Sequence, residues 1–228
     1  MEGFYQTTTP NLQESIDFYQ RLGFKQDEKH PQILHEAGQL IYINETRTAR
    51  PGLRLYSDSW SNVVEELSDI GLVHKIEDGY CLADPSNSWI YLLESEPPEL
   101  EINEKSSKSI LGNFAGLSLE SGDIQKSLQI YQILGFKQTS GTLEQGWLGL
   151  ENEKKMGVGL LAPNNCPHLF FNPSFNYFNG GKNDEIIPKI KAAKVKITEE
   201  ITVFNTDNIV DNIIIRDPGG FGFFIFND

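Results

Sequence analysis

A chain of 228 residues with 39% hydrophobic and 11% aromatic side chains has enough apolar material for one large domain or two ordinary ones. Its formal net charge of −13 argues against a nucleic-acid partner, because phosphate binding is led by Lys and Arg. Two cysteines, Cys81 and Cys166, make no disulfide framework and suit a reducing compartment. The opening MEGFYQTTTP has no basic stretch followed by an apolar one, and no apolar run nears the ~20 residues that cross a bilayer. A cytoplasmic protein with no membrane partner is expected.

The first strand is expected at Gly3 to Thr9. A helix follows, with Asn11 as N-cap, Glu14 three residues on as capping-box partner, and Leu12, Ile16 and Tyr19 as an apolar stripe. Gly23 falls where a left-handed C-cap is wanted. Ile33 to His35 and Leu40 to Asn44 read as paired strands joined through Ala37-Gly38. The order then repeats: a strand at Leu53 to Tyr56, a helix at Trp60 to Ile70, strands near Val73 to Ile76 and Tyr80 to Ala83, a turn at Asp84-Pro85, and a strand at Trp89 to Leu93. Ser95 to Ser109 is polar, without an apolar face, and reads as a linker. Its acidic run Glu94, Glu96, Glu99, Glu101 and Glu104 reads as a solvated face.

Beyond the linker a strand is expected at Leu117 to Leu119 and a helix capped by Asp123. The last quarter is expected to open with a strand at His168 to Phe171, continue with a helix near Asp184 to Ala193 whose start Pro188 obscures, and close with Ile213 to Ile215, Asp217-Pro218 and Phe221 to Phe226. Ser15, Tyr19 and Leu22-Gly23-Phe24-Lys25-Gln26 recur 112 residues later as Ser127, Tyr131 and Leu134-Gly135-Phe136-Lys137-Gln138. Self-similarity at so long a period marks a duplicated unit.

Ser-x-x-x-Tyr-x-x-Leu-Gly-Phe, present twice, and the two Asp-Pro turns before closing strands make the chain resemble the vicinal oxygen chelate superfamily of glyoxalase I, bleomycin-resistance proteins and extradiol dioxygenases. The resemblance implies an α+β fold: four tandem βαβββ units forming two glyoxalase-like domains with curved mixed sheets. Domain 1 is expected at 1–97, from units of about 1–48 and 51–97. A linker at 98–111 leads to domain 2 at 112–228, from units of about 112–163 and 166–228. The concave face of each sheet would hold a site.

The resemblance also places metal ligands early on a domain's first strand, at the start of the first strand of its second unit, and on the closing strand a few residues past Asp-Pro. In the dioxygenases these are two His and one carboxylate. Counting from the landmarks gives Phe4, Gly52 and Tyr91 in the first half and Gly116, His168 and Phe224 in the second. One imidazole out of six positions makes no metal centre, since catalytic sites normally use three protein ligands; no metal and no cofactor are expected. His168 is open to two readings: a general base or relic ligand, with Glu120 as partner, or an inward His bonded to a neighbour.

Strand alternation puts Phe4, Gln6, Arg54, Tyr56, Trp89 and Tyr91 on the first concave face. Arg54 could clamp a ligand carboxylate or pair with an internal acid. The second face would carry Ser118, Glu120, His168, Phe170, Asn172, Gly222 and Phe224. The aromatic segment from Phe170 to Gly181 reads either as a lid hinged at Gly180-Gly181 or as a self-packed loop. The expected ligand-binding set is therefore Gln6, Arg54, Tyr56, Tyr91, Ser118, Glu120, His168, Phe170, Asn172 and Phe224, for a small organic molecule. An enzyme of lyase, isomerase or dioxygenase type using His168 and Glu120, and an interaction or structural protein, are the alternatives. The expected state is a monomer or homodimer.

Overall fold

A computed structural model describes residues 2–101, 108–166 and 171–228. The chain forms four βαβββ units. The first is β1 (Glu2–Thr8), α1 (Leu12–Arg21), β2 (Lys25–Gln26), β3 (Ile33–Glu36) and β4 (Gln39–Asn44). The second is β5 (Gly52–Tyr56), α2 (Ser61–Ser68), β6 (His74–Ile76), β7 (Gly79–Ala83) and β8 (Trp89–Leu93). The third is β9 (Phe114–Glu120), α3 (Ile124–Ile133), β10 (Lys137–Thr142), β11 (Trp147–Glu151) and β12 (Gly157–Leu161). The fourth is β13 (Ser174–Phe178), α4 (Asn183–Ala192), β14 (Ile197–Ile201), β15 (Asn212–Arg216) and β16 (Gly222–Phe226).

Each half of the chain makes one eight-stranded mixed sheet. The orders are β2-β3-β4-β1-β5-β8-β7-β6 and β10-β11-β12-β9-β13-β16-β15-β14, so the same plan is used twice. In each sheet two units meet along an antiparallel central pair, β1 with β5 and β9 with β13. Local chemistry sets the elements as expected at several points. The Asn11 side chain accepts from the Glu14 N–H, and Asp123 does the same from Lys126. The reciprocal bond to the Asn11 N–H comes from Thr9 Oγ1, which accepts it at 3.1 Å. Gly23 and Gly135 close α1 and α3 at φ +93° and +81°, where a side chain would be strained.

One expectation is corrected. The strand that stands beside β9 and β16, in the place β5 holds in the first half, is Ser174–Phe178, not His168 to Phe171. The aromatic segment that read as a lid or loop therefore contains a central strand. α4 falls within a residue of its expected place, with Pro188 inside it. No helix among the described residues is long and apolar enough to cross a membrane.

The helix-side residues of both sheets join in a single core that runs through Tyr5, Leu53, Leu117, Phe175 and Phe223. The Tyr5 hydroxyl donates to the Gly157 carbonyl at 3.0 Å and accepts from its N–H at 2.8 Å, bridging β1 to β12. The repeated motifs meet here reciprocally. Tyr19 on α1 donates to Asp217 of the second half's turn at 3.1 Å. Ser127 on α3 donates to Asp84 of the first half's turn at 3.3 Å, and burial together with the Asp84 charge raises the Tyr131 pKa well above the usual phenol value. Both ends of the expected linker are docked on the first half. Leu100 packs on its open-face cluster, the Glu101 N–H donates to Asp27, and Glu36 accepts from both the N–H and the hydroxyl of Ser109 at 2.8 Å.

Burial pushes Glu36 and Asp217 up to about 7, from 4.5 and 3.8. Between those limits the folded protein keeps protons that the unfolded chain has released. Their stabilising effect is thus complete below the lower values and lost as pH rises through about 7. Thermal unfolding should move to lower temperature from about pH 5 to about pH 7, and Asp217→Asn, which keeps the protonated shape, should reduce that slope.

Candidate functional site

Each sheet has one face on the shared core and one open face, and the open faces of the two halves differ. Cross-strand register in the first half places Ile33, Tyr42, Gln6, Gly52 and Trp89 in one row. The equivalent row of the second half is Gly149, Gly159, Ser118, Ser174 and Gly222. The neighbouring row repeats the contrast: Phe4, Arg54 and Tyr91 against Gly116, Asn176 and Phe224. Large side chains in the first sheet stand where the second has glycine or serine.

The first open face is filled accordingly. Phe4, Ile33, Tyr56 and Leu93 cluster there, with Tyr42, Tyr91 and Leu100 against them. The structure brings together Gln6, Arg54, Tyr56 and Tyr91, and ties their polar atoms to one another and to the loop before β5. Arg54 lies 4.4 Å over the Tyr42 ring. It donates to Gln6 Oε1 at 3.0 Å and to the Tyr56 hydroxyl at 3.2 Å. Gln6 Nε2 donates to the Arg50 carbonyl at 2.7 Å, and the Tyr91 hydroxyl accepts from the Arg50 N–H at 3.0 Å. Among the described residues no carboxylate pairs with Arg54; an amide, a phenol and a ring face take the place of the expected acid.

In the second half the small residues leave a cleft of about 580 Å³, within the range of small-molecule pockets. Gly149, Gly159 and Ser118 form its floor, and Trp147, Phe178 and Phe226 rise at its sides. Phe178 stacks on Phe226 at 5.4 Å, and Phe226 on Phe224 at 5.7 Å. Phe204 from the loop before β15 and Cys166 reach its rim. Of the residues expected here, Ser118 lines the cleft, while Phe224 is buried in the wall behind Phe226. Glu120, at the end of β9, is not among the lining residues. Asn172 acts as a strut: its amide accepts from the Glu120 N–H and donates to the Glu120 and Ser86 carbonyls. His168 and Phe170 lie outside the described residues.

Sequence reasoning missed Gly149, Gly159, Trp147, Asn176, Phe178 and Phe226. A signal was available for two of them. Pro51 precedes β5 and Pro173 precedes β13; aligning the two prolines puts Asn176 and Phe178 at the places of Arg54 and Tyr56, and Ser174 at that of Gly52. The second-half position counted to His168 thus falls on Ser174.

No protein-family model matches the chain, and no curated protein does. Solved structures do. A variant of 4-hydroxymandelate synthase from Streptomyces coelicolor superposes with a TM-score of 0.56 at 9% identity, over 96% of this chain and 90% of that one. A homoprotocatechuate 2,3-dioxygenase variant from B. fuscum gives 0.56 at 13%, over 99% and 70%. A catechol 2,3-dioxygenase gives 0.52 at 13%, over 97% and 85%. The chain also matches a xylose isomerase-like TIM barrel/4-hydroxyphenylpyruvate dioxygenase fusion protein, of which it spans 47%. At these identities the likeness is one of fold, shared over nearly the whole of this chain.

The places that the resemblance assigns to metal ligands hold Phe4, Gly52 and Tyr91 in one half and Gly116, Ser174 and Phe224 in the other. Two-residue neighbours on either side add no His, and their one carboxylate, Glu2, pairs with Lys154 at 2.7 Å. These side chains do not fit a two-His, one-carboxylate centre. Among the described residues no three of His, Cys, Asp and Glu come together as a metal set.

The floor glycines are not equivalent. A Cβ on Gly159 would make ordinary contacts at 3.7 and 3.8 Å, whereas one on Gly157 would collide with the Ala115 carbonyl. Gly157→Ala should therefore cost about 2 kcal/mol and Gly159→Ala under about 1 kcal/mol, as read by chemical denaturation.

Proposed function

We propose that this chain, built on the two-domain vicinal oxygen chelate fold, binds a small organic molecule in the open-face cleft of its second half without a resident metal ion. The observation that supports the reading most directly is the replacement of Tyr42 and Gln6 by Gly159 and Ser118 at equivalent places, which opens a lined cleft in the second copy. The first half, its open face packed and its polar groups mutually bonded, serves as scaffold. The site residues on this reading are Ser118, Trp147, Gly159, Asn176, Phe178 and Phe226.

The enzyme reading has less support, since Glu120, the partner expected for His168, stands outside the cleft lining. The interaction-protein reading is weakened too. Three of the exposed large apolar residues, Trp147, Phe178 and Phe204, are accounted for as cleft walls. Cys81 and Cys166 lie in different halves of the chain, which supports a cytoplasmic setting.

Two measurements test this. Gly159→Leu, which plants a side chain in the cleft at a tolerant backbone position, should weaken every ligand found by a screen of flat aromatic fragments by at least about tenfold, ~1.4 kcal/mol. Unchanged binding would move the site elsewhere. Metal analysis of the purified protein should find far less than one equivalent of iron, zinc or manganese; a full equivalent would overturn the metal-free part.

A further inference from the structure

We propose that the cleft takes an uncharged, flat aromatic or heteroaromatic molecule carrying an adjacent hydrogen-bond donor and acceptor on one edge, with that edge turned down onto Ser118 and Asn176. This rests on the reading of the cleft as a small-molecule site and specifies its chemistry.

The polar floor is the first argument. Ser118 is wholly buried on the open face, yet its hydroxyl has no hydrogen-bond partner among the described residues. The side-chain oxygen of Asn176, on the next row, is in the same condition. Buried polar groups are nearly always satisfied. Two that are not, both lining the cleft, mark where a ligand's polar edge belongs. A hydroxyl both donates and accepts, and a carboxamide offers one acceptor and two donors. The floor therefore complements an edge that also carries both, such as a lactam.

The walls give the second argument. Phe178 and Phe226 lie nearly parallel, 13° apart, and Trp147 is 41% exposed at the β11 side. Three strand spacings, roughly 14 Å, separate β11 from β13, enough for a two- or three-ring system. With only glycine backbone at Gly159, where even a Cβ would make ordinary contacts, a flat ring can lie close to the sheet.

Charge gives the third. Glu151 is the one charged residue among the described lining residues, and it already pairs with Lys155 at 3.1 Å. No Lys or Arg is among them to receive a carboxylate or phosphate, and a net charge of −13 repels one. Burying an unpaired anion there is strongly unfavourable.

Calorimetric titration of the full-length protein with three probes of one ring size tests the proposal. 2-Quinolone has the donor-acceptor edge, N-methyl-2-quinolone has that edge blocked, and quinoline-2-carboxylate carries a negative charge. 2-Quinolone should bind at least about tenfold more tightly than either of the others. The double variant Ser118→Ala/Asn176→Leu should bring 2-quinolone down to the level of its N-methyl form. If the carboxylate binds as tightly as 2-quinolone, or the N-methyl form does, the ligand class is wrong while the small-molecule site stands. If none of the three binds, the site itself is refuted and this proposal with it.

Discussion

Everything else in the molecule is arranged around a reciprocal exchange of hydroxyl and carboxylate between the two halves. Tyr19 of the first half donates to Asp217 of the second, and Ser127 of the second donates to Asp84 of the first. Each aspartate also holds its own turn, accepting from the Ser86 and Ser88 N–H groups in one case and from Phe221 in the other. These carboxylates are buried, where bonds to an ionisable group are strong and leaving one unmade costs most. The two repeated motifs, a helix bearing Ser and Tyr and an Asp-Pro turn, are thus the two sides of one contact made twice.

Because that contact sits on the helix side, it binds the halves through a common core and leaves both open faces out of the bargain. Pairing across the core constrains Tyr5, Phe175 and Phe223, whereas nothing across it constrains Gln6 or Ser118. The open faces could then diverge without disturbing the assembly. In one, Phe4, Ile33 and Tyr42 pack the open face, and Tyr42 and Gln6 hold Arg54 by stacking and amide bonding. In the other, glycine and serine occupy the same rows and leave space.

The architecture was legible because it depends on local rules: caps at Asn11 and Asp123, left-handed glycines at 23 and 135, and a motif that repeats with constant spacing. The fourth unit was misplaced by six residues because apolar periodicity cannot separate FF from SFNYF in an aromatic run. The proline before each strand decides the matter only once β5 is known to follow Pro51. The role of the repeated Tyr was hidden for a different reason: its partner lies 198 residues away, and no spacing rule reaches that far. The cleft was hidden because emptiness belongs to two adjacent rows of a sheet and not to any residue. Gly149 and Gly159 read as weak strand residues until the register sets them beside Ser118. Arg54 was correctly placed on its face, but its neighbours were not foreseen, since an amide and two phenol rings leave no charge pattern to read.

The reciprocal bridges have an implication for how such a chain came to be. A single copy carries both sides of the contact but cannot satisfy them alone, because its own Tyr and its own Asp face a partner. It would be complete only as a symmetric pair of identical subunits. Joining the two copies in one polypeptide ended the obligation to be identical: once each surface was encoded separately, one could be filled for rigidity while the other was hollowed out. The asymmetry of the open faces is what the fusion made available, a division of labour that no homodimer of the same unit could reach.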